Sequence, residues 1–197
     1  YPLRRQRQMC IRDRSYSVFL NENTYRFYSQ AIGEDESGSL PSCYSWLAGL
    51  ELTALGIKFP TTVTIEAIDT RVKKTSHGNC GQNTMYNNYY YDYINYDTVL
   101  GVPIDTEGTS LELFGKSQLT QRIDFEYSAK YLTINDKDWP SHRLSSNRET
   151  GLVNSLGVSW NVNNLKLGMN IYKQDYILDK ADIKSSSGLG FFSEITF

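Results

Sequence analysis

The apolar side chains between residues 151 and 172 change parity at one point, and that change constrains the fold more than any other feature of the chain. Leu152, Leu156, Val158, Trp160 and Val162 occupy even positions, interleaved with Val153, Ser155, Gly157, Ser159 and Asn161. After Asn163-Asn164 the apolar set moves to odd positions, with Leu165, Leu167, Met169 and Ile171 against Lys166, Gly168, Asn170 and Tyr172. Alternation with a period of two is the mark of a strand with one apolar face. A two-residue hairpin with Asn163 and Asn164 at the positive-φ positions of a type I′ turn would pair Val162 with Leu165, Trp160 with Leu167, Val158 with Met169 and Leu156 with Ile171. All of these apolar residues then share one face.

The last run repeats the pattern. Leu189, Phe191, Ile195 and Phe197 share a parity, Gly190, Glu194 and Thr196 take the other, and Phe192 is the exception. A final strand ending on a bulky aromatic is expected of a transmembrane barrel more than of a soluble sandwich. Segments of about ten residues, apolar towards lipid and polar towards a lumen, are the sequence pattern of outer-membrane barrels. Hydrophobic content of 40% and a mean hydropathy of -0.47, with no uninterrupted apolar run, exclude a helical membrane protein. Such a protein needs about 18 consecutive apolar residues or more, whereas a barrel needs only every second residue to be apolar. A net charge of -2 and the absence of a basic patch give no sign of a nucleic-acid partner. The 15 Tyr suit membrane interfaces and sugar-binding surfaces alike, and Tyr is also a good strand former.

Residues 1–14 stand apart, with five Arg broken by Met9 and Cys10 and no regular period. They are read as a non-native leader and set aside, leaving 15–197 as an outer-membrane β-barrel segment whose native protein begins further upstream. Strands are expected at 16–20 and 25–32 around the polar trio Asn21-Glu22-Asn23. The Gly-, Ser- and acid-rich stretch 33–43 is expected to be a loop. Its Glu34, Asp35 and Glu36 lack the spacing of a cation loop and read as a solvated acidic turn. Strands at 44–54 and 62–67 flank a short connection and turn Glu51 and Glu66 away from the apolar face. Residues 71–108 form a loop far longer than the ordinary one of about 4 to 6 residues. Beyond it, Leu111, Leu113, Leu119, Ile123, Phe125, Tyr127, Ala129 and Tyr131 share a face. Glu112, Lys116, Gln118, Asp124, Glu126 and Lys130 share the other, with Lys116 and Lys130 placed as ion-pair partners in a wet lumen.

Short joints at 21–23, 55–61, 120–122 and 163–164 alternate with long ones at 33–43, 71–108, 135–150 and 174–187. That alternation predicts an all-β, antiparallel up-and-down transmembrane β-barrel, this chain supplying about eight strands of a larger one, with tight turns on one rim and long loops on the other.

Within and around the longest loop, Glu66-Ala67-Ile68-Asp69-Thr70, Tyr86-Asn87-Asn88 with further Tyr up to Tyr96, Gly101 and Pro103, and Gly108-Thr109-Ser110-Leu111 resemble the C-terminal half of the capsule assembly Wzi family. So do the GEDE stretch at 33–36, Leu40-Pro41-Ser42 and Gly49-Leu50-Glu51. Where the family has Tyr-Asn-His, this chain has Tyr86-Asn87-Asn88. The resemblance implies a monomeric barrel in the outer membrane of a Gram-negative bacterium, in contact with membrane lipid. It also implies a lectin that helps attach capsular polysaccharide to the cell surface.

Two histidines, His77 and His142, fall in expected loops without a nucleophile motif or metal-ligand spacing, so no enzyme, metal or cofactor is expected. Glu112, Asp124 and Glu126 share a face, but their lysine neighbours favour a lumen network over a glycosidase pair. The candidate carbohydrate-binding residues are Tyr86, Asn87, Asn88, Tyr89, Tyr91, Asp92, Tyr93 and Tyr96, since aromatic faces stack on sugars while amides and carboxylates bond hydroxyls. The competing reading packs these tyrosines as a plug, and a passive pore for small solutes would present the same polar lumen. Cys43 and Cys80 both fall in long loops and could form a disulfide or remain free thiols.

Overall fold

A computed structural model describes residues 10–37, 40–55, 58–72, 80–82, 84–85, 94–95, 98–99 and 102–195. The strands are β1 (Cys10–Leu20), β2 (Asn23–Ser37), β3 (Leu40–Ala54), β4 (Thr61–Asp69), β5 (Ile94–Asn95), β6 (Thr98–Val99), β7 (Thr109–Thr120), β8 (Ile123–Ile134), β9 (Glu149–Val162), β10 (Leu165–Gln174) and β11 (Ser186–Ile195). Nine of them, rather than about eight, form one antiparallel sheet in the order β1-β2-β3-β4-β7-β8-β9-β10-β11, while β5 pairs only with β6. Each wall strand is hydrogen-bonded to its neighbour in sequence, so all links of one kind fall at one end of the sheet.

The register of β9 and β10 is the one the parity change dictates: Val162↔Leu165, Trp160↔Leu167, Val158↔Met169 and Leu156↔Ile171. The turn differs in detail. Asn163 has φ 53° but Asn164 is not among the positive-φ residues, whereas Asn21 (46°) and Glu22 (66°) both are. The two-residue turn with both central residues in the left-handed region therefore lies at 21–22, closed by the pair Leu20↔Asn23.

One sequence expectation is corrected. Stretch 33–43 is not a loop. β2 and β3 continue as a ladder through Asp35↔Ser42, Glu36↔Pro41 and Ser37↔Leu40, beyond the last pairs with β1 (Cys10↔Gly33) and β4 (Trp46↔Asp69). Pro41 is tolerated there because each strand of the extension has one open edge, where a missing N–H costs no ladder bond. Residues 10–14, set aside with the leader, form the first half of β1 and pair from Cys10↔Gly33 to Arg14↔Ser29. By parity with Tyr16 and Val18, Arg12 and Arg14 fall on the apolar face.

The apolar face carries Ile65, Leu113, Leu156, Val158, Trp160, Leu167, Met169 and Ile171, all exposed, with Trp160 at 49%. The polar face carries the expected ion pairs between directly opposed residues, Lys130 with Glu112 and Lys116 with Glu126, each at 3.0 Å. On the same face the Tyr28 hydroxyl donates to Glu66 Oε2 at 2.8 Å. Phe192, the break in the last strand's alternation, faces this polar side with its ring over the directly opposed Gly168. Tyr28 over Gly49 and Tyr172 over Gly188 repeat the device, and Tyr127 over Gly115 does so on the apolar face. An aromatic covering its cross-strand glycine replaces the side-chain contact that glycine lacks.

Almost all of the buried apolar core lies at the long-loop end. Cys43, Val72, Cys80 and Met85 form one cluster, and Ile104, Leu132, Ile134 and Leu178 a second. The second rests on Ile68 and Val153, which with Leu132 take polar-face parity at the ends of β4, β9 and β8. The loops thus fold over the end of the polar face as a cap.

Candidate functional site

The cap is built from three segments, 70–108, 135–148 and 175–185. The longest closes at its neck, where Thr70 N–H donates to Gly108 O (2.9 Å) and Gly108 N–H donates to Thr70 Oγ1 (2.9 Å). A Cβ on Gly108 would lie 2.9 Å from Thr133 O and 3.0 Å from Ile104 O, so only glycine fits where this loop rejoins the wall. Further along, Cys80 is disulfide-bonded to Cys43 with a Cα–Cα distance of 5.1 Å, which settles the pairing left open by the sequence. Crosslinking residues 37 apart restricts the unfolded chain, contributing about 3 to 4 kcal/mol on the chain-entropy account. A tight turn follows in which Gly81 N–H donates to Thr84 Oγ1 at 2.7 Å, and Met85 is fully buried next to it.

One guanidinium joins the two ends of the tyrosine-rich stretch. Arg143 grips Asp105 in a two-pronged pair, Nε to Oδ2 at 2.8 Å and Nη2 to Oδ1, and Nη2 also reaches the Met85 carbonyl at 3.5 Å. Asp105 is fully buried, so the pair depends on this fork geometry rather than on a point charge. His142 is also fully buried. Its Nδ1 accepts from the backbone N–H of Leu144 (3.2 Å) and Ser145 (3.5 Å), so the proton sits on Nε2, which donates to Thr106 O at 2.9 Å. Burial pushes the His142 pKa down, keeping the ring neutral.

Asn135 closes its own loop from the left-handed region (φ 54°), donating to Trp139 O (3.0 Å) and Ser145 O (3.1 Å) and accepting from Trp139 N–H (2.7 Å). Lys180 fastens the third segment by donating to His142 O at 2.9 Å. Most of these polar groups are paired and hold the loops in place, the buried Thr106 hydroxyl being an exception. With both ring nitrogens engaged, His142 has no free lone pair with which to act as a base. Among the described residues no group of His, Cys, Asp and Glu side chains converges as a metal site.

Tyr86, Asn87, Asn88, Tyr89, Tyr91, Asp92, Tyr93 and Tyr96 lie outside the described residues, as does His77. Their flanks are placed. Met85 and Asp105 are held by Arg143, and within the run β5 and β6 pair through Ile94↔Val99 and Asn95↔Thr98. Sequence reasoning missed Met85, Asp105, Arg143 and Asn135 as organising residues. The one local signal was the turn chemistry of Pro103 and Gly108, because Asp105 and Arg143 are 38 residues apart.

The family model described as capsule assembly protein Wzi matches residues 6–174. Among solved structures, the chain is similar to Wzi of Escherichia coli, an outer membrane protein involved in group 1 capsule assembly and a carbohydrate-binding β-barrel, with 24% identity and a TM-score of 0.67. That likeness, which shows the fold, covers 87% of this chain and 37% of the other. The chain therefore spans little more than a third of the length of the barrel it matches. No curated protein matches.

Proposed function

Because this chain belongs to the capsule assembly Wzi family, we propose that it is part of an outer-membrane β-barrel of a Gram-negative bacterium that binds surface polysaccharide and helps attach or assemble the capsule. The apolar face meets lipid, the polar face lines the lumen, and the long-loop rim faces outwards. Tyr86, Asn87, Asn88, Tyr89, Tyr91, Asp92, Tyr93 and Tyr96 bind sugar by stacking and hydroxyl contacts, without cofactor or catalysis, in a monomeric barrel. The observation that carries this reading is the clamp: Arg143 holds Met85 on one side of the tyrosine-rich run and Asp105 on the other. A binding segment fixed at both ends loses less conformational entropy when it engages a ligand.

A passive pore is disfavoured by Ile104 and Leu178 packing onto Ile68, Leu132 and Val153, which sets the cap across the polar face at the rim. The test replaces Tyr89, Tyr91 and Tyr93 by Ala in the full-length protein and compares cell-bound with shed polysaccharide, alongside uptake of small solutes. Sugar binding by this run predicts shed capsule with folding and permeability unchanged. Retained capsule with raised permeability would make the run a plug, and solute conductance in the unmodified protein would favour the pore.

A further inference from the structure

The apolar face is not uniform. At its long-loop end lies a furrow of about 460 Å³ between β3, β4, β7 and β8, lined by Trp46, Ala48, Ala67, Asp69, Leu111 and Tyr131 among others. Ala48 and Ala67 are directly opposed and form its floor, one row above the bulkier Leu50 and Ile65. Trp46, Leu111 and Tyr131 stand around it, each more than half exposed.

The furrow ends on a ladder of charge. Asp69 holds Arg71 through two bonds of 2.9 and 2.7 Å, and Arg71 Nη1 reaches Asp136 at 3.5 Å. Asp136 also meets Arg148 at 3.3 Å and Lys137 at 3.8 Å. These last two side chains are 51% and 62% exposed, and each touches Asp136 through a single nitrogen, which leaves donors for an anion. The neighbouring Asp138 keeps its charge but is turned to the backbone, its carboxylate accepting the Arg148 N–H at 2.6 Å.

We propose that this furrow is a lipid site on the outside of the barrel, taking an acyl chain of a phosphorylated glycolipid along Ala48 and Ala67 with the phosphate at Lys137 and Arg148. Small residues flanked by aromatics give a tail somewhere to lie in the lipid-facing wall. Trp and Tyr at the edge of an apolar band occupy headgroup depth, and their ring faces suit a sugar better than a glycerol headgroup. Exposed cations just above that level match a phosphate. The site rests on the outer-membrane reading given above but is independent of the tyrosine-rich run.

The test uses the full-length protein in detergent and native mass spectrometry with three probes: bisphosphorylated lipid A, phosphatidylglycerol and phosphatidylcholine. Lipid A should be retained in preference to both phospholipids. The pair Lys137→Gln and Arg148→Gln should weaken lipid A by about 30-fold, as expected for two cations near a phosphate. Ala67→Trp, with Ala48→Leu as the milder filling should Trp unfold the barrel, should weaken it by a factor of about ten through loss of tail burial. Equal retention of the three lipids, or lipid A binding unchanged in a folded furrow-filled variant, overturns the proposal. Capsule retention measured on the same variants separates the two readings. It should stay normal here, and its failure in the unmodified protein would sink the capsule role while leaving the lipid result standing.

Discussion

The wall and the cap of this molecule treat the same chemistry in opposite ways. In the wall, large apolar side chains such as Trp160 and Met169 are exposed, and the charged pairs are wet, with Lys130 and Glu112 retaining 23% and 31% of their side-chain exposure. In the cap, Met85, Ile104 and Ile134 are buried, and so is the carboxylate of Asp105 that pairs with Arg143. The wall is held by its backbone ladder and by whatever apolar medium covers it, so a charge pair within it contributes little. The cap is held as a globular core is held, by packing and by polar groups with no alternative partner in water. A lost partner there is left desolvated.

The largest effect should come from Asp105→Ala. Leaving Arg143 in a nearly dry site without its carboxylate should cost about 3 to 5 kcal/mol, confined to the cap. Limited proteolysis should then cut within 80–108 and 135–148 while the strand signal in circular dichroism is unchanged, and global loss of the sheet would show that wall and cap are not separable. On the wall, Trp160→Arg and Met169→Arg should each cost up to about 2 to 4 kcal/mol depending on depth, Met169 in the middle of β10 more than Trp160 two residues from the end of β9, measured by denaturant unfolding in lipid vesicles. Asn170→Arg, on the polar face of the same hairpin, should cost about 0.5 kcal/mol or less. Equal losses at the three positions would mean that the apolar face does not lie in lipid.

His142 probes the cap more gently. Burial holds its pKa below the ordinary 6.5, so the unfolded cap binds a proton more readily than the folded one. Cap stability is therefore complete above that ordinary value and declines as pH falls below it, by up to about 1.4 kcal/mol per pH unit, until the folded pKa is reached. Protection factors of the amides in 135–148, which correct for the slower intrinsic exchange at lower pH, should fall between neutral and mildly acidic pH, and His142→Gln should remove that slope. The smallest effect belongs to Glu112→Gln, the wall's counterpart of the cap pair. Lys130 stays hydrated without it, so the loss should be about 0.5 kcal/mol, and a loss as large as that of Asp105→Ala would mean the polar face is dry.

Local pattern was enough to define the wall. The period of two assigned Leu156, Trp160, Leu167 and Met169 to one face, the parity change located the turn between them, and Lys116 and Lys130 were placed on one face with the carboxylates they pair with, because neighbours across a hairpin are near neighbours along the chain. The Gly- and Pro-rich stretch 33–43 was misread as a loop where composition spoke against strand and the pairing of β2 with β3 overrode it, and residues 10–14, which show no period, pair with β2 all the same. The cap had no such period. Arg143 finds Asp105 and Met85 across 38 and 58 residues, and Cys43 finds Cys80 across 37, so nothing local announces the partner. The alternation of apolar and polar residues thus settled most of the strands, their faces and the register of β9 with β10. The tertiary structure settled the disulfide, the neutral tautomer of His142 and the clamp beneath the tyrosine-rich run, because these depend on which loops meet over the end of the sheet.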